Sequence, residues 1–228
     1  MAGELEGKTV LITAGPTHEY IDDVRYLANP STGRMGIELA NEARDRGAKV
    51  HLVCGPTHLR APDGVLFHRV VGALDMFREV SKYFESCDVF IASAAVGDYR
   101  PVIRTEGKIK KGPETITLEL IKNPDILKTM GEKQSDTQVI AGFSLEISDF
   151  QKHGLGKLLD KNCDLMFINS PHSFGSGRGN SMLIHECGVA YRFSGVNKLQ
   201  LSMHILDCVE DVLAGRDLPV LEAFEQGA

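Results

Sequence analysis

Positions 25–36 read Arg-Tyr-Leu-Ala-Asn-Pro-Ser-Thr-Gly-Arg-Met-Gly, and no other stretch of the chain gathers so many groups able to do chemistry. Arg25 and Arg34 carry charge suited to a phosphate or a carboxylate. Asn29 offers an amide. Residues 37–46 read as a helix with Met35, Leu39 and Ala43 on one face, so Ser31, Thr32 and Gly33 fall where that helix should begin. Free backbone N–H groups and the positive end of the helix dipole favour an anion there. Gly33 and Gly36 would let a ligand come close to the backbone. The expectation is a phosphate-bearing ligand. Ser-Thr-Gly is also an ordinary helix cap, and loop arginines are often merely solvated, so the stretch alone leaves both readings open. Neither G-x-G-x-x-G nor G-x-x-x-x-G-K-[ST] occurs in the chain.

Other candidates lie further on. Residues 93–101 (SAAVGDYRP) are small enough for a ligand to lie against their backbone. Asp98 within them could serve a ribose hydroxyl or a metal ion, or could cap a turn. Lys108 and Lys110 share one face of an extended segment, either protecting a sheet edge or laying a mobile lysine on a triphosphate. Asn123, Pro124, Asp125 and Ile126 form a helix start, with Asn123 as cap, Pro124 at the first position and Asp125 complementing the dipole. Lys157 and Lys161 are four apart on a helix, solvated or converging on one anion. Residues 172–180, with Gly175, Gly177 and Gly179, read as a flexible loop that closes over a site.

These groups must be positioned by the elements between them. Residues 9–13, 49–54, 65–71 and 88–92 read as buried strands, separated by helices over 37–46 and 73–84. Strands alternating with helices predict an α/β fold, a Rossmann-like and mostly parallel sheet with helices on both faces. Ligands of such sheets gather at the C-terminal strand ends, where the loops beginning at Ala14, Gly55 and Ser93 lie. The pattern then changes. Residues 108–111 and 115–121 read as a β-hairpin, with Ile116, Leu118 and Leu120 on the covered side of a half-exposed antiparallel strand. Strands over 138–143 and 164–168 follow, then a second hairpin over 181–185 and 189–193. A final helix starts at Asn197 and turns Leu199, Met203, Leu206, Val209 and Leu213 inward. The tail from 215 to 228 reads as loose. No repeat or linker divides the chain, so residues 1–228 are expected to form a single domain with a core over about 8–214.

Composition narrows the class. The chain has 228 residues, 43% of them apolar and 25% charged, as in soluble globular proteins. A net charge of −6 argues against nucleic-acid binding by bulk electrostatics. No apolar run approaches the roughly 18 residues of a membrane helix, and the acidic N-terminus lacks a signal region, so a cytoplasmic protein is expected. The five cysteines, at 54, 87, 163, 187 and 208, never form C-x-x-C; reduced core thiols are expected, with no zinc site or disulfide framework.

In order along the chain stand residues 13–17 (TAGPT), 24–36, 94–101 (AAVGDYRP), 108–111 (KIKK), 123–126 (NPDI), Gly142 with Phe143, and Lys157 with Lys161. Together they resemble the phosphopantothenate–cysteine ligase family, from about Lys8 to about Ala214. The resemblance implies coupling of 4′-phosphopantothenate to L-cysteine in coenzyme A biosynthesis, with a nucleoside triphosphate and Mg2+. The bacterial type uses CTP and the animal type ATP, and the bacterial pattern here favours CTP. The acyl substrate's carboxylate first attacks the α-phosphate, giving an acyl nucleotidylate and pyrophosphate; the cysteine amine then displaces the nucleoside monophosphate.

By position, Asn29 matches the asparagine that holds the acyl intermediate, donating to its acyl or phosphate oxygen. Arg25 matches the arginine of the cysteine step, and Lys108 the lysine that meets the triphosphate. Ala92, Ser93, Ala94, Asp98, Asn123, Pro124, Asp125, Ile126, Phe143, Lys157 and Lys161 match nucleotide-contacting positions. Ser31, Thr32, Gly33 and Arg34 are left to take the substrate phosphate. The metal ligands are not identified. The resemblance also implies a homodimer formed through the hairpins, and a decarboxylase on a separate chain.

The chain departs from the family pattern at Asp23, where proline is usual, at Pro30 and Thr32, at Gly97, which stands for an alanine, and across residues 142–147 (GFSLEI). Two rivals stay open: an NAD(P)-dependent oxidoreductase on the same fold, and a non-catalytic sensor of a coenzyme A precursor.

Overall fold

A computed structural model describes residues 3–112, 114–170, 179–186, 188–220 and 222–223. The loop expected over 172–180 lies largely outside the described residues, as does Cys187.

The first strand, β1 (Thr9–Ala14), lies inside the sheet and is buried from its second residue onward. It pairs in parallel with β4 (Lys49–Cys54) on one side and β6 (Val89–Ala92) on the other. Beyond β4 lies β5 (Leu66–Arg69); beyond β6 lie β9 (Val139–Leu145) and β10 (Leu165–Asn169), all parallel. The sheet then turns antiparallel through β11 (Gly179–His185), β12 (Gly188–Val196) and β13 (Glu222–Ala223). The second expected hairpin therefore exists, as a continuation of the main sheet.

Period-two alternation sends each strand's side chains to two helical layers. Val10 and Ile12 join the cluster under α1 (Arg34–Asp45) and α5 (Lys198–Leu213), whereas Leu11 joins the cluster under α2 (Ala73–Tyr83), α3 (Ile126–Gly131) and α4 (Phe150–Asp160). α1 buries Leu39 and Ala43 as the spacing predicts. α5 is rotated from the expected face: Leu201, Ile205, Leu206 and Val209 point inward, while Leu199 and Met203 are exposed. Leucine and methionine fit both faces of that helix by spacing, and contact with α1 selects the face.

The first expected hairpin is corrected. Residues 108–111 and 115–119 form no ladder among the described residues. The pair is instead β7 (Tyr99–Pro101) with β8 (Leu120–Lys122), at the base of the excursion. Arg100 Nη1 donates to Lys122 O at 2.9 Å and to Asn123 Oδ1 at 3.0 Å, which fixes this register. Ile116 and Leu118 remain exposed because no surface among the described residues covers their side of the alternation. A further short ladder, β2 (Glu19–Tyr20) with β3 (Tyr26–Leu27), closes the loop after β1.

Cys54, Cys87, Cys163 and Cys208 are buried and unpaired, as expected. Burial pushes the Cys54 thiol up to about 11, a rise that the nearby Arg69 partly offsets. Burial, reinforced by Asp88, Asp164 and Asp211 respectively, pushes Cys87, Cys163 and Cys208 up to about 12. A folded-state value above the ordinary 9.0 gives stability that is complete below about pH 9 and lost as pH rises toward the folded value. In a Cys187→Ser chain we expect no thiol to react with a disulfide reagent at pH 8 before unfolding. The thermal midpoint should fall between pH 9 and 11. Rapid stoichiometric labelling of the folded chain would contradict this burial.

Candidate active site

The chain passes from β1 through α1 to β4 and β5, then crosses back to β6 on the far side of β1. The crevice left at such a reversal is where α/β sheets hold ligands. A cavity of about 660 Å³ opens there, lined by residues 29–36, by 93–96 and Asp98, by 143–145, by Lys157, and by Asn169, Ser181, Val196, Lys198 and Leu201.

α1 begins at Gly33, which holds φ 80° and places no capping side chain over the helix end. That left-handed turn suits glycine. The preceding loop is fastened by Thr57 Oγ1, which donates to Thr32 O at 2.8 Å. Gly36 answers to packing rather than to a ligand. A Cβ there would lie 2.4 Å from the Ala14 Cβ and 2.8 Å from Ser93 Oγ, so what approaches its backbone is β1 itself.

Asn29 Nδ2 donates to Ala95 O at 3.3 Å and to Val96 O at 3.1 Å. Two carbonyl oxygens can only accept, so the amide nitrogen must face them. Its Oδ1 is the end left to a ligand. The sequence expectation has the amide donate to the intermediate; here Nδ2 already donates to two carbonyls. Arg34 Nε pairs with Glu38 Oε1 at 3.1 Å at the cavity's edge.

Arg25 and Lys108 do not line the cavity. Arg25 is held by the buried Asp22, whose Oδ2 accepts from both Arg25 Nε, at 2.9 Å, and Arg25 Nη2. Arg25 Nη2 also donates to Ile109 O at 3.1 Å. Asp22 Oδ2 accepts from Ile109 N at 3.0 Å, and Asp23 Oδ2 accepts from Gly107 N at 2.7 Å. The backbone is thus pinned on both sides of Lys108 while its own side chain stays exposed. Hydrogen bonding to Arg25 outweighs burial and holds the Asp22 carboxyl well below the usual carboxylate range, so the clamp stays charged at every working pH. Asp23, a departure from the family pattern, has this local role.

The expected nucleotide set divides in two. Ser93, Ala94, Asp98, Phe143 and Lys157 line the cavity; Ala92, Asn123, Pro124, Asp125, Ile126 and Lys161 do not. Lys157 Nζ lies 2.6 Å from Glu146 Oε1 and donates to Ser144 Oγ at 3.0 Å. Burial alone would raise the Glu146 carboxyl; Lys157 and Ser144 outweigh it and lower it. Lys161 pairs instead with Asp125, so the two lysines share no partner. Asn123 does not cap α3. The cap is Asp125, whose side chain accepts from Lys128 N. Asn123 is buried, and its Nδ2 donates to Gly97 O at 2.7 Å, bracing the loop that carries Asp98. Sequence reasoning placed the cap two residues early because asparagine before proline is itself a favoured start.

Residues 5–213 match the family model described as the DNA/pantothenate metabolism flavoprotein C-terminal domain. The chain belongs to that family. The coenzyme A biosynthesis bifunctional protein CoaBC of Bacillus subtilis is 43% identical over 207 residues, covering 89% of this chain and 51% of the relative. The protein of the same name from Vibrio cholerae is 44% identical over 175 residues, covering 76% and 44%. The crystal structure of the C-terminal domain of a CoaBC protein superposes with a TM-score of 0.81 at 34% identity, covering 93% of this chain and 99% of that one. The chain spans about half the length of the curated relatives it matches. Within this DNA/pantothenate flavoprotein domain, Asn169, Ser181 and Lys198 are cavity residues that sequence reasoning missed. Asn169 ends β10, the last parallel strand, Ser181 stands on the antiparallel β11, and Lys198 on α5. Only Lys198 carried a signal, an Asn-Lys pair at a helix start.

Proposed function

We propose that the chain is a phosphopantothenate–cysteine ligase acting in coenzyme A biosynthesis. The observation that carries the reading is the cavity itself. It joins the start of α1 with Arg34 to a loop carrying Asp98 and to Lys157, which suits two anionic ligands held side by side. A carboxylate oxygen is a poor leaving group. Attack by the carboxylate of 4′-phosphopantothenate on the α-phosphate of CTP breaks the α–β bridge, releases pyrophosphate and leaves an acyl cytidylate. The cysteine amine then attacks the acyl carbon, loses a proton and expels CMP. No covalent enzyme nucleophile is needed. The protein must align two anions and neutralise charge.

In this reading Lys108 meets the triphosphate, swinging from the pinned excursion. Ser93, Ala94, Asp98, Phe143 and Lys157 take the nucleotide, and residues 123–126 with Lys161 brace that side. Asn29 orients the attacking amine, and Arg25, clamped by Asp22 outside the cavity lining, serves the cysteine step. Mg2+ usually keeps water and phosphate ligands with only one or two protein carboxylates. No group of three or more His, Cys, Asp or Glu side chains converges among the described residues. Asp98, the one carboxylate among the cavity-lining residues described, fits an ion carried in on the triphosphate, where it would offset phosphate charge. Likeness to bacterial relatives supports CTP over ATP. A cytoplasmic location belongs to the same proposal; no helix among the described residues is long and apolar enough to cross a membrane.

Pyrophosphate release tests the reading, assayed with Mg2+ and 4′-phosphopantothenate, with CTP or ATP, and with or without cysteine. Release with CTP that cycles only when cysteine is present supports it. Absence of release with either nucleotide, from folded protein, defeats it.

A homodimer is part of the proposal. Tyr26, Tyr99, Ile103, Ile116, Leu118 and Ile121 are exposed on the two small ladders and the excursion, an apolar surface that a second copy would cover. Sedimentation equilibrium should give twice the 24.9 kDa chain mass at micromolar concentration, and Ile103→Lys with Ile121→Lys should shift it to the monomer. A wild-type monomer at that concentration would remove the dimer from the proposal.

A further inference from the structure

Lys198 is the first residue of α5 and lines the same cavity as the start of α1. The two helices are packed along their apolar faces, Leu39, Ala40 and Ala43 sharing one cluster with Leu201, Ile205 and Leu206. That contact brings the α5 start beside Arg34. The two helix ends are built differently. Asn197 and Gln200 close the α5 end with a reciprocal capping box, Asn197 Oδ1 accepting at 2.9 Å and Gln200 Oε1 at 3.3 Å. At the α1 end Gly33 brings no side chain, and only Thr32 Oγ1, accepting from Arg34 N at 3.4 Å, and Ser31 Oγ, accepting from Gly33 N at 3.3 Å, touch its first amides. α5 therefore contributes its lysine rather than its backbone amides.

We infer that Lys198 is the second cation of the substrate-phosphate subsite, and that Arg34 and Lys198 together make the enzyme select a phosphorylated acyl substrate over its unphosphorylated counterpart. The inference rests on the ligase reading above.

The charge count supports it. Glu38 is the carboxylate near both cations, and it is engaged by Arg34 at 3.1 Å. Among the described residues the Lys198 ammonium has no ion pair of its own within 4.0 Å. Burial first, then repulsion from Arg34, lowers the lysine below its ordinary range, and Glu38 only partly compensates. Two cations and one carboxylate leave one uncompensated positive charge between a half-buried lysine and an exposed arginine at the cavity's edge. A monoanion would neutralise it and a phosphate dianion would more than do so, converting mutual repulsion of the cations into shared attraction. Lysine acts here as a point charge and Arg34 as a planar donor, so the pair suits a tetrahedral oxyanion.

The test is steady-state kinetics of Lys198→Met, Lys198→Gln and Lys198→Arg, with 4′-phosphopantothenate and with pantothenate as acyl substrates. KM for 4′-phosphopantothenate should rise about tenfold in the Met and Gln variants. KM for pantothenate and for CTP should not move, so discrimination between the acyl substrates falls by the same factor. Lys198→Arg should restore it. Equal effects on both acyl substrates, or an unchanged KM in an active variant, would overturn the inference. A rise confined to CTP would overturn it by giving the lysine to the nucleotide. Lys198 starts a helix at a half-exposed position, and unchanged thermal midpoints would confirm folding. Turnover by the wild type with no change in the variants defeats this inference alone, whereas no turnover by the wild type defeats the ligase reading.

Discussion

Lys108→Ala is expected to suppress pyrophosphate release by about 100- to 1,000-fold, the usual cost of removing one donor aimed at developing phosphoryl charge. The mechanism is local. Gly107 and Ile109 are tied through backbone N–H groups to Asp23 and Asp22, so the stretch is held in place and only the lysine side chain is left to move. Removing it takes away a charge and a long flexible stem without touching the clamp. The fold should be unaffected, because Lys108 is exposed. Rapid quench with CTP and 4′-phosphopantothenate, followed for pyrophosphate before cysteine is added, isolates this step. Wild-type burst amplitude and rate in the variant would remove Lys108 from the first half-reaction.

Asn29→Ala is expected to act on the other half. The acyl cytidylate should form at near wild-type rate, while its conversion by cysteine slows roughly 100-fold, the scale of a lost orienting contact. The geometry gives the reason. Asn29 Nδ2 is committed to the carbonyls of Ala95 and Val96, so Oδ1 is the end offered to a ligand. A carbonyl oxygen accepts an N–H of the attacking amine and turns its lone pair toward the acyl carbon. Alanine removes that acceptor and loosens the loop over residues 95–96, yet leaves Arg34 and Asp98 in the cavity. Mass spectrometry of the quenched reaction should detect accumulated acyl cytidylate. Parallel loss of both half-reactions would defeat this division of labour.

The two variants form a pair with opposite signatures. One should fail before pyrophosphate leaves, and the other should release a single equivalent and stall. A shared signature would mean that both residues act on one step, and the separate placement of the clamped excursion and the cavity would then carry no mechanistic meaning.

What the sequence determined by itself was the layered α/β frame and the sheet edge at which the cavity opens. Apolar runs of strand length, each followed by helical spacing, leave few other arrangements, and parallel pairing then fixes which strand ends face the ligand. The segment around Asn29, Ser31 and Arg34 was legible for the same reason, since local residue types set a local turn. Tertiary structure decided whatever depended on contact between distant segments. It turned α5 so that Leu201 rather than Leu199 meets α1, and in doing so set Lys198 beside Arg34. It moved the first hairpin's ladder to Tyr99–Pro101 and Leu120–Lys122, because Arg100 and Asn123 lock that register while the apolar alternation at Ile116 and Leu118 finds nothing among the described residues to cover it. It bound Lys161 to Asp125 and Lys157 to Glu146, splitting two lysines whose spacing suggested a common anion. Spacing along a chain specifies which groups share a face. Which charge sits across from that face is set by packing between elements far apart in sequence, and at this site those charges decide what each lysine can do.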